Sequence, residues 1–264
     1  MKTVSITSGK GGVGKTTYVV GIAQAMSRIG KRVLVIDGDL GMANCDVHFG
    51  VRCERNLLNV VRGDCTMRES IVRVSPTLHL ISGGSGLYDL GHLSAFERRT
   101  ILDEVDGVLR DYDLVLLDTS PGLHENVLYL NANASANVVV ITPDPSSFTD
   151  AYALIKVLHQ RYRMKSFMVA TNCVSSDSEG VGLYERFYEV TRKFLNLRMS
   201  YVGGICESDS LRKTHIDRAK KGNTFVYDSQ NESFLDIGLA IQTEMQGLVQ
   251  RSDFSVWKEL AGSA

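Results

Sequence analysis

The stretch "SGKGGVGKTT", residues 8 to 17, limits this chain more than any other. Four glycines in the eight positions from Gly9 to Thr16 cannot make a packed core, and they fit the pattern G-x-x-x-x-G-K-[ST]. The apolar run "TVSIT" precedes them, and Val19, Ile22, Met26 and Ile29 follow at helical spacing, which predicts strand, turn, helix. A turn of that kind cradles phosphate. Backbone N–H groups of Gly9, Lys10, Gly11, Gly12, Val13 and Gly14 close around the anion, and the first turn of the helix, with Thr17, adds its positive dipole. Lys15 is placed to reach β- and γ-phosphates and Thr16 to ligate Mg²⁺. A second lysine, Lys10, follows the first glycine; on the residues alone it reads equally well as a solvated loop charge.

The rest of the chain repeats the alternation. "RVLVID", "LHLIS", "DLVLLD", "NVVVITP", "SFMVATN" and "MSYVGGI" are strand candidates, apolar on both faces as buried parallel strands are. Between them Leu154, Val157 and Leu158, and then Phe187, Val190 and Phe194, recur at helical spacing, and "SQNESFLDIGLAIQTEMQGLVQ" reads as a last long helix. The fold class is therefore α/β: a doubly wound, mainly parallel sheet with helices on both faces, in one domain over residues 1–250. Residues 251–264 follow as a short amphipathic appendix, in which Phe254, Trp257 and Ala261 share a helical face.

Charge and cysteine usage narrow the function. Twenty-nine basic residues against thirty acidic ones leave a net charge of -1, so no global field draws the chain to nucleic acid or anionic lipid. The opening residues lack the basic and apolar regions of a signal peptide, and no apolar run reaches about 18 residues, so a cytoplasmic protein is expected. Cys45, Cys53, Cys65, Cys173 and Cys206 form no C-x-x-C pair and have no His at metal spacing. They are expected as reduced thiols in cores and loops.

Three carboxylates and one amide stand at strand ends. Asp118 closes "DLVLLD" at the carboxyl edge, where open α/β sheets bind ligands; a carboxylate there holds Mg²⁺ through water, although an Asp in that place is otherwise a turn former. Asp37 closes "RVLVID" and Asp39 lies two residues beyond, between Gly38 and the Gly41 region. Asp39 either orients the attacking water of a phosphoryl transfer or belongs to a Gly/Asp turn, and spacing does not separate the two. Asn172 closes "SFMVATN"; its amide matches the N6 and N7 edge of adenine, but Asn is also a common turn residue.

Together "GKGGVGKTT", "DGDLGMANCD" and "DTSPG" resemble, in order and spacing, the motifs of the deviant-Walker, MinD/ParA-type P-loop ATPases of the SIMIBI class, from Lys2 to Asn223. Within that family, "DGDLGMANCDVHFG", "SSFTDAYALIKVL", "FLNLRMSYVGGI" and "SDSLRKT" resemble the flagellar-number regulators of the FlhG/FleN group. The resemblance implies that Lys10 is the signature lysine, which crosses to a partner subunit and contacts phosphates there when two monomers sandwich two ATPs. A cation given in trans would offset part of the crowded phosphate charge. By the same resemblance Asp39 positions the attacking water, Asp37 supports the switch and Mg²⁺ region, and Asp118 is the Walker B acid. Asn172 then reads adenine, joined by the backbone of Cys206, Glu207 and Ser208.

What the resemblance implies for function is hydrolysis of ATP with Mg²⁺ by an ATP-dependent homodimer, cytoplasmic and reversibly membrane-associated. The output is control of flagellar number or placement through an FlhF-like GTPase, a basal-body protein or a flagellar transcription activator. The sequence departs from its relatives in three places. "GICESD" stands where Ile-Pro and a following Asp are usual, and Ser120 and Pro121 stand where FleN-like proteins carry Ala-Ala. Many of these regulators also engage the GTPase through an N-terminal extension with an Asp-Gln-Ala-type motif; eight residues precede the loop here, which weakens that expectation.

Other readings remain open on the sequence. Arg212, Lys213, Arg218, Lys220 and Lys221 in "LRKTHIDRAKKG" suit the DNA grip of a ParA-like segregation ATPase, or a solvated helix face. A MinD-like cell-division positioning ATPase and a nucleotide-dependent scaffold without turnover are the further alternatives. The appendix after residue 250 reads as a membrane-targeting helix or as a helix docked on its own domain.

Overall fold

The computed structural model describes residues 3–39, 43–84, 94–207 and 231–247. Gly41, Ser208, the basic run from Arg212 to Lys221 and the appendix of residues 251–264 lie outside the described residues.

The described residues hold eight strands, seven of them from the apolar runs: β1 (Thr3–Thr7), β2 (Val33–Gly38), β3 (Val72–Arg73), β4 (Leu78–Ile81), β5 (Leu114–Thr119), β6 (Ala136–Ile141), β7 (Ser166–Val174) and β8 (Arg198–Cys206). They form one sheet in the order β3-β4-β2-β5-β1-β6-β7-β8. Every described pairing is parallel except that of β3 with β4. The two-residue β3 is the one strand that the apolar runs did not announce, since Val72 and Arg73 are too few to show a period. Chain order reverses at β1, so the switch point of the sheet lies beside the glycine loop, where ligands of such sheets bind.

The helices are α1 (Lys15–Arg28), α2 (Cys45–Phe49), α3 (Leu57–Val61), α4 (Ala95–Leu109), α5 (Glu125–Asn133), α6 (Pro145–Tyr162), α7 (Asp177–Phe194) and α8 (Asn231–Gly247). Side chains alternate across each strand, and this divides the core by face. Val33 and Val35 of β2 and Leu114 and Leu116 of β5 pack with Val19, Ile22 and Met26 of α1 and with Phe234, Ile237 and Ile241 of α8. Leu34, Ile36, Val115 and Leu117, one residue out of phase, pack with α3 and α4. Val139, Ile141, Phe167 and Val169 pack with α6 and α7. Burial on both faces is why these strands read as continuous apolar runs.

Two helical stripes are narrower than the sequence spacing predicts. In α7 the buried line runs through Leu183, Phe187 and Thr191, which leaves Val190 and Phe194 exposed at its flank; Phe194 stands edge-on to Tyr152 at 6.4 Å. Ile29 is the C-cap of α1, beyond the last turn, and is likewise exposed. No helix of the described residues is long and apolar enough to cross a membrane.

Candidate nucleotide and metal site

The glycine loop runs from the end of β1 into α1, and close packing holds it. A Cβ on Gly9 would overlap the backbone of Asp150 in α6. Gly14 caps α1 from the left-handed region at φ 96°, and a Cβ there would run into the Asn172 amide. Only glycine meets both demands. From the other side Asn172 Nδ2 donates to the carbonyl of Val13 at 2.8 Å. The strand carrying Asn172 slips register against β8 at this point, and Cys173 takes a left-handed φ of 55°. The residue expected to read adenine thus also fastens the phosphate loop. Cys206 closes β8 nearby, and the Glu207 N–H donates to the Val174 carbonyl at 2.8 Å, which keeps the two strand ends together.

Lys15 opens α1 and lies buried beneath the loop, where its Nζ donates to Ser8 Oγ at 3.0 Å; Ser8 in turn donates to the Lys10 carbonyl at 2.6 Å. Burial lowers the Lys15 pKa, and the carboxylates of Asp118 and Asp39 act against that. The next residue faces the sheet: Thr16 Oγ1 donates to Asp118 Oδ2 at 2.7 Å.

Parallel pairing places the carboxylates. Asp37 of β2 and Asp118 of β5 are register partners at the carboxyl edge, so both side chains leave the sheet at one level and on one side. Asp37 Oδ1 accepts from the Asp39 N–H at 3.1 Å, and its Oδ2 accepts from the N–H groups of Asn44 and Cys45 at 3.0 Å each. Burial still pushes its carboxyl up to about 6. Burial, and then the charge of Asp37, push Asp118 up to about 7. Asp118 Oδ1 is buried and meets no hydrogen-bond donor. A buried acid pair with an unmet oxygen beside a threonine hydroxyl is a hard oxygen donor set of the kind that Mg²⁺ takes, and Thr16, Asp37 and Asp118 fit that ion.

Asp39 stands at the rim, half-buried, and Ser120 Oγ donates to its Oδ1 at 2.9 Å. Ser120 was singled out in the sequence only as a departure from relatives; the structure gives it a hand on Asp39. Lys10 is not a free solvated charge. Its Nζ donates to Asp144 Oδ2 at 2.8 Å and to Ser146 Oγ at 2.6 Å. Asp144 is the N-cap of α6, and the Lys10 ammonium holds its carboxyl well below the usual range. Such an exposed pair is screened by solvent and weak, which leaves the lysine able to exchange partners.

The sequence singled out Lys15, Thr16 and Asp118 by motif and Lys10, Asp37 and Asp39 through the family resemblance, and the fold brings all six to one edge. It gave no role to Ser8 or Ser146, which lie at the start of quoted stretches, or to Asp144, which lies outside them. It placed Cys45 among core thiols. The core does contain it, but its Sγ also points at Asp118 Oδ2, 3.5 Å away.

A doubly wound sheet with this loop at its switch point and carboxylates on the neighbouring strands defines a P-loop nucleotide-binding protein. The sequence matches the AAA domain family over residues 1–166. It is 34% identical over 213 residues to the antiactivator FleN of Pseudomonas aeruginosa, covering 81% of this chain and 76% of that protein. It is 38% identical over 221 residues to the flagellum site-determining protein YlxH of Helicobacter pylori, covering 83% and 74%. The structure of the MinD cell division protein of Aquifex aeolicus superposes with a TM-score of 0.73 at 23% identity, covering 92% of this chain and 97% of that one, and shares the fold. The chain belongs to the AAA-domain family, in the MinD/ParA-type group of P-loop ATPases that includes FleN and YlxH.

Proposed function

We propose that the protein is an ATP-driven dimerisation switch that regulates flagellar number or placement. The observation that carries the reading is the assembly at one sheet edge of Lys15, Thr16, Asp118 and Asp39 around the glycine loop, in a chain similar to two flagellar regulators over four-fifths of its length. Loop N–H groups and Lys15 bind the phosphates of ATP, and Asn172 with the backbone at Cys206, Glu207 and Ser208 holds the adenine. Thr16, Asp118 and Asp37 hold Mg²⁺, which when bound draws charge from the phosphate oxygens. Asp39, oriented by Ser120, positions the attacking water and accepts its hydrogen bond. Lys10 leaves Asp144 and crosses to the phosphates of the second subunit, so that ATP closes the dimer and hydrolysis releases it. Residues 251–264 add a weak membrane contact that two copies on a dimer strengthen through effective concentration. The partner class is a flagellar regulator or basal-body component.

Light scattering and phosphate release test this directly. The protein should be a dimer with ATP and Mg²⁺ and a monomer with ADP, and should release phosphate; cells lacking the gene should carry an altered number or position of flagella. A monomer under all nucleotides would remove the switch, and unaltered flagella would remove the output.

A further inference from the structure

Cys45 is the one side chain of the acidic pocket that a magnesium site does not call for. Its thiol sulfur and one carboxylate oxygen each of Asp37 and Asp118 all lie within 4.8 Å of one another, and all three residues are buried. The three come from separate places in the chain: the end of β2, the first turn of α2 and the end of β5. A second observation points to a ligand: Asp118 is 2% exposed, and its Oδ1 is buried with no hydrogen-bond partner. The Cys45 backbone N–H donates to Asp37 Oδ2 at 3.0 Å, and its Sγ lies 3.5 Å from Asp118 Oδ2, which holds the thiol against both carboxylates.

Ligand softness decides which ion this set prefers. Magnesium takes hard oxygens and keeps its waters, so a thiol adds nothing for it. One thiolate with two carboxylates is instead a three-ligand set for zinc-class ions, with metal–sulfur distances of about 2.3 Å and metal–oxygen distances of about 2.0–2.2 Å. We infer that in the nucleotide-free protein Asp37, Cys45 and Asp118 bind one thiophilic divalent cation of the zinc class, with water as the remaining ligand, and that this ion excludes the magnesium–nucleotide complex. On binding, the Cys45 S–H bond gives its proton to solvent and the sulfur lone pair forms the bond to the metal, with no change of oxidation state. The bound ion ties the start of α2 to the end of β5 and gives the unmet Asp118 carboxylate oxygen a partner. The exclusion rests on the reading of the loop as a nucleotide site; the metal site itself does not.

Cadmium, whose thiolate complexes absorb in the ultraviolet, is the probe. The full chain, stripped with chelator and free of nucleotide, is titrated with Cd²⁺, alone and against Zn²⁺. A variant with Cys53, Cys65, Cys173 and Cys206 all changed to Ser should keep a band that saturates at one ion per chain and is displaced by Zn²⁺. Cys45→Ala in the otherwise natural chain should lose that component, and Asp118→Asn should weaken it at least 10-fold, with thermal melts confirming that both are folded. The same band in folded Cys45→Ala would overturn the site, as would weak binding equal to that of Asp118→Asn in the natural chain. Saturating ATP with Mg²⁺ should weaken cadmium at least 10-fold. Cadmium binding indifferent to ATP would overturn the exclusion and leave the metal site standing, whereas failure of ATP-driven dimerisation in metal-free buffer would strike the proposed function alone.

Discussion

Replacing Asp118 by Asn should make the nucleotide-free protein more stable at pH 8 even as it disables the cation pocket. Asp118 is 2% exposed, and burial followed by the charge of Asp37 raises its pKa from 3.8 to about 7. Because its folded pKa lies above its unfolded one, the folded chain binds this proton more tightly. The contribution therefore favours the fold at pH below 3.8, declines as pH rises through the interval, and is gone above about 7. A rise of about three pH units is worth about 4 kcal/mol. Asn keeps the shape and an oxygen to accept from Thr16, so that bond is common to both proteins. Part of the rise is repulsion from Asp37 and so belongs to the pair, not to Asp118 alone, and the gain at pH 8 is on the order of 2–4 kcal/mol. For a chain of this size that is roughly 5–15 °C in Tm. Thermal melts at pH 5 and pH 8 without nucleotide measure it: the advantage of Asn should shrink by more than half at pH 5, and ATP with Mg²⁺ should stabilise only the natural protein. An Asn variant less stable at pH 8, or an advantage independent of pH, would refute the account of a strained acid pair.

Lys15→Ala should lose nucleotide affinity in the monomer by at least 10-fold, whereas Lys10→Ala should keep it and lose dimerisation and turnover; identical defects in calorimetry and light scattering would end the trans role of Lys10. Asp39→Ala should bind ATP and Mg²⁺ and accumulate as a dimer on size exclusion while phosphate release falls at least 100-fold, and a monomeric variant beside a dimeric natural protein would sink the assignment. Gly9→Ala should cost about 1–3 kcal/mol by driving the loop from α6, read as a lower denaturation midpoint, and an unchanged midpoint would show that α6 gives way freely. Trp257, the single tryptophan, should shift to the blue with anionic vesicles in the presence of ATP but not ADP, and no shift in the ATP-loaded Asp39→Ala dimer would assign residues 251–264 a structural role.

The sequence by itself determined what depends on local order. The glycine pattern lies within eight residues, between an apolar run and a helical period, and so Gly9 to Thr16 could be read as a strand-to-helix phosphate turn without any knowledge of the rest. Parallel strands buried on both faces require continuous apolar runs, and seven of the eight were legible for that reason; β3, two residues long, was not. Asp37 and Asp118 could be placed at strand ends because an apolar run stops at each. Tertiary structure decided what depends on register and on faces meeting. Pairing of β2 with β5 sets Asp37 level with Asp118, 81 positions away, and only then does burial make their pKa values rise. Lys10 finds Asp144 across 134 positions, Ser120 reaches Asp39 across 81, and Asn172 meets Val13 across 159. Cys45 showed the limit most plainly: nothing near it in the sequence announces Asp118, 73 positions away, whose Oδ2 its Sγ approaches to 3.5 Å once β2 and β5 pair.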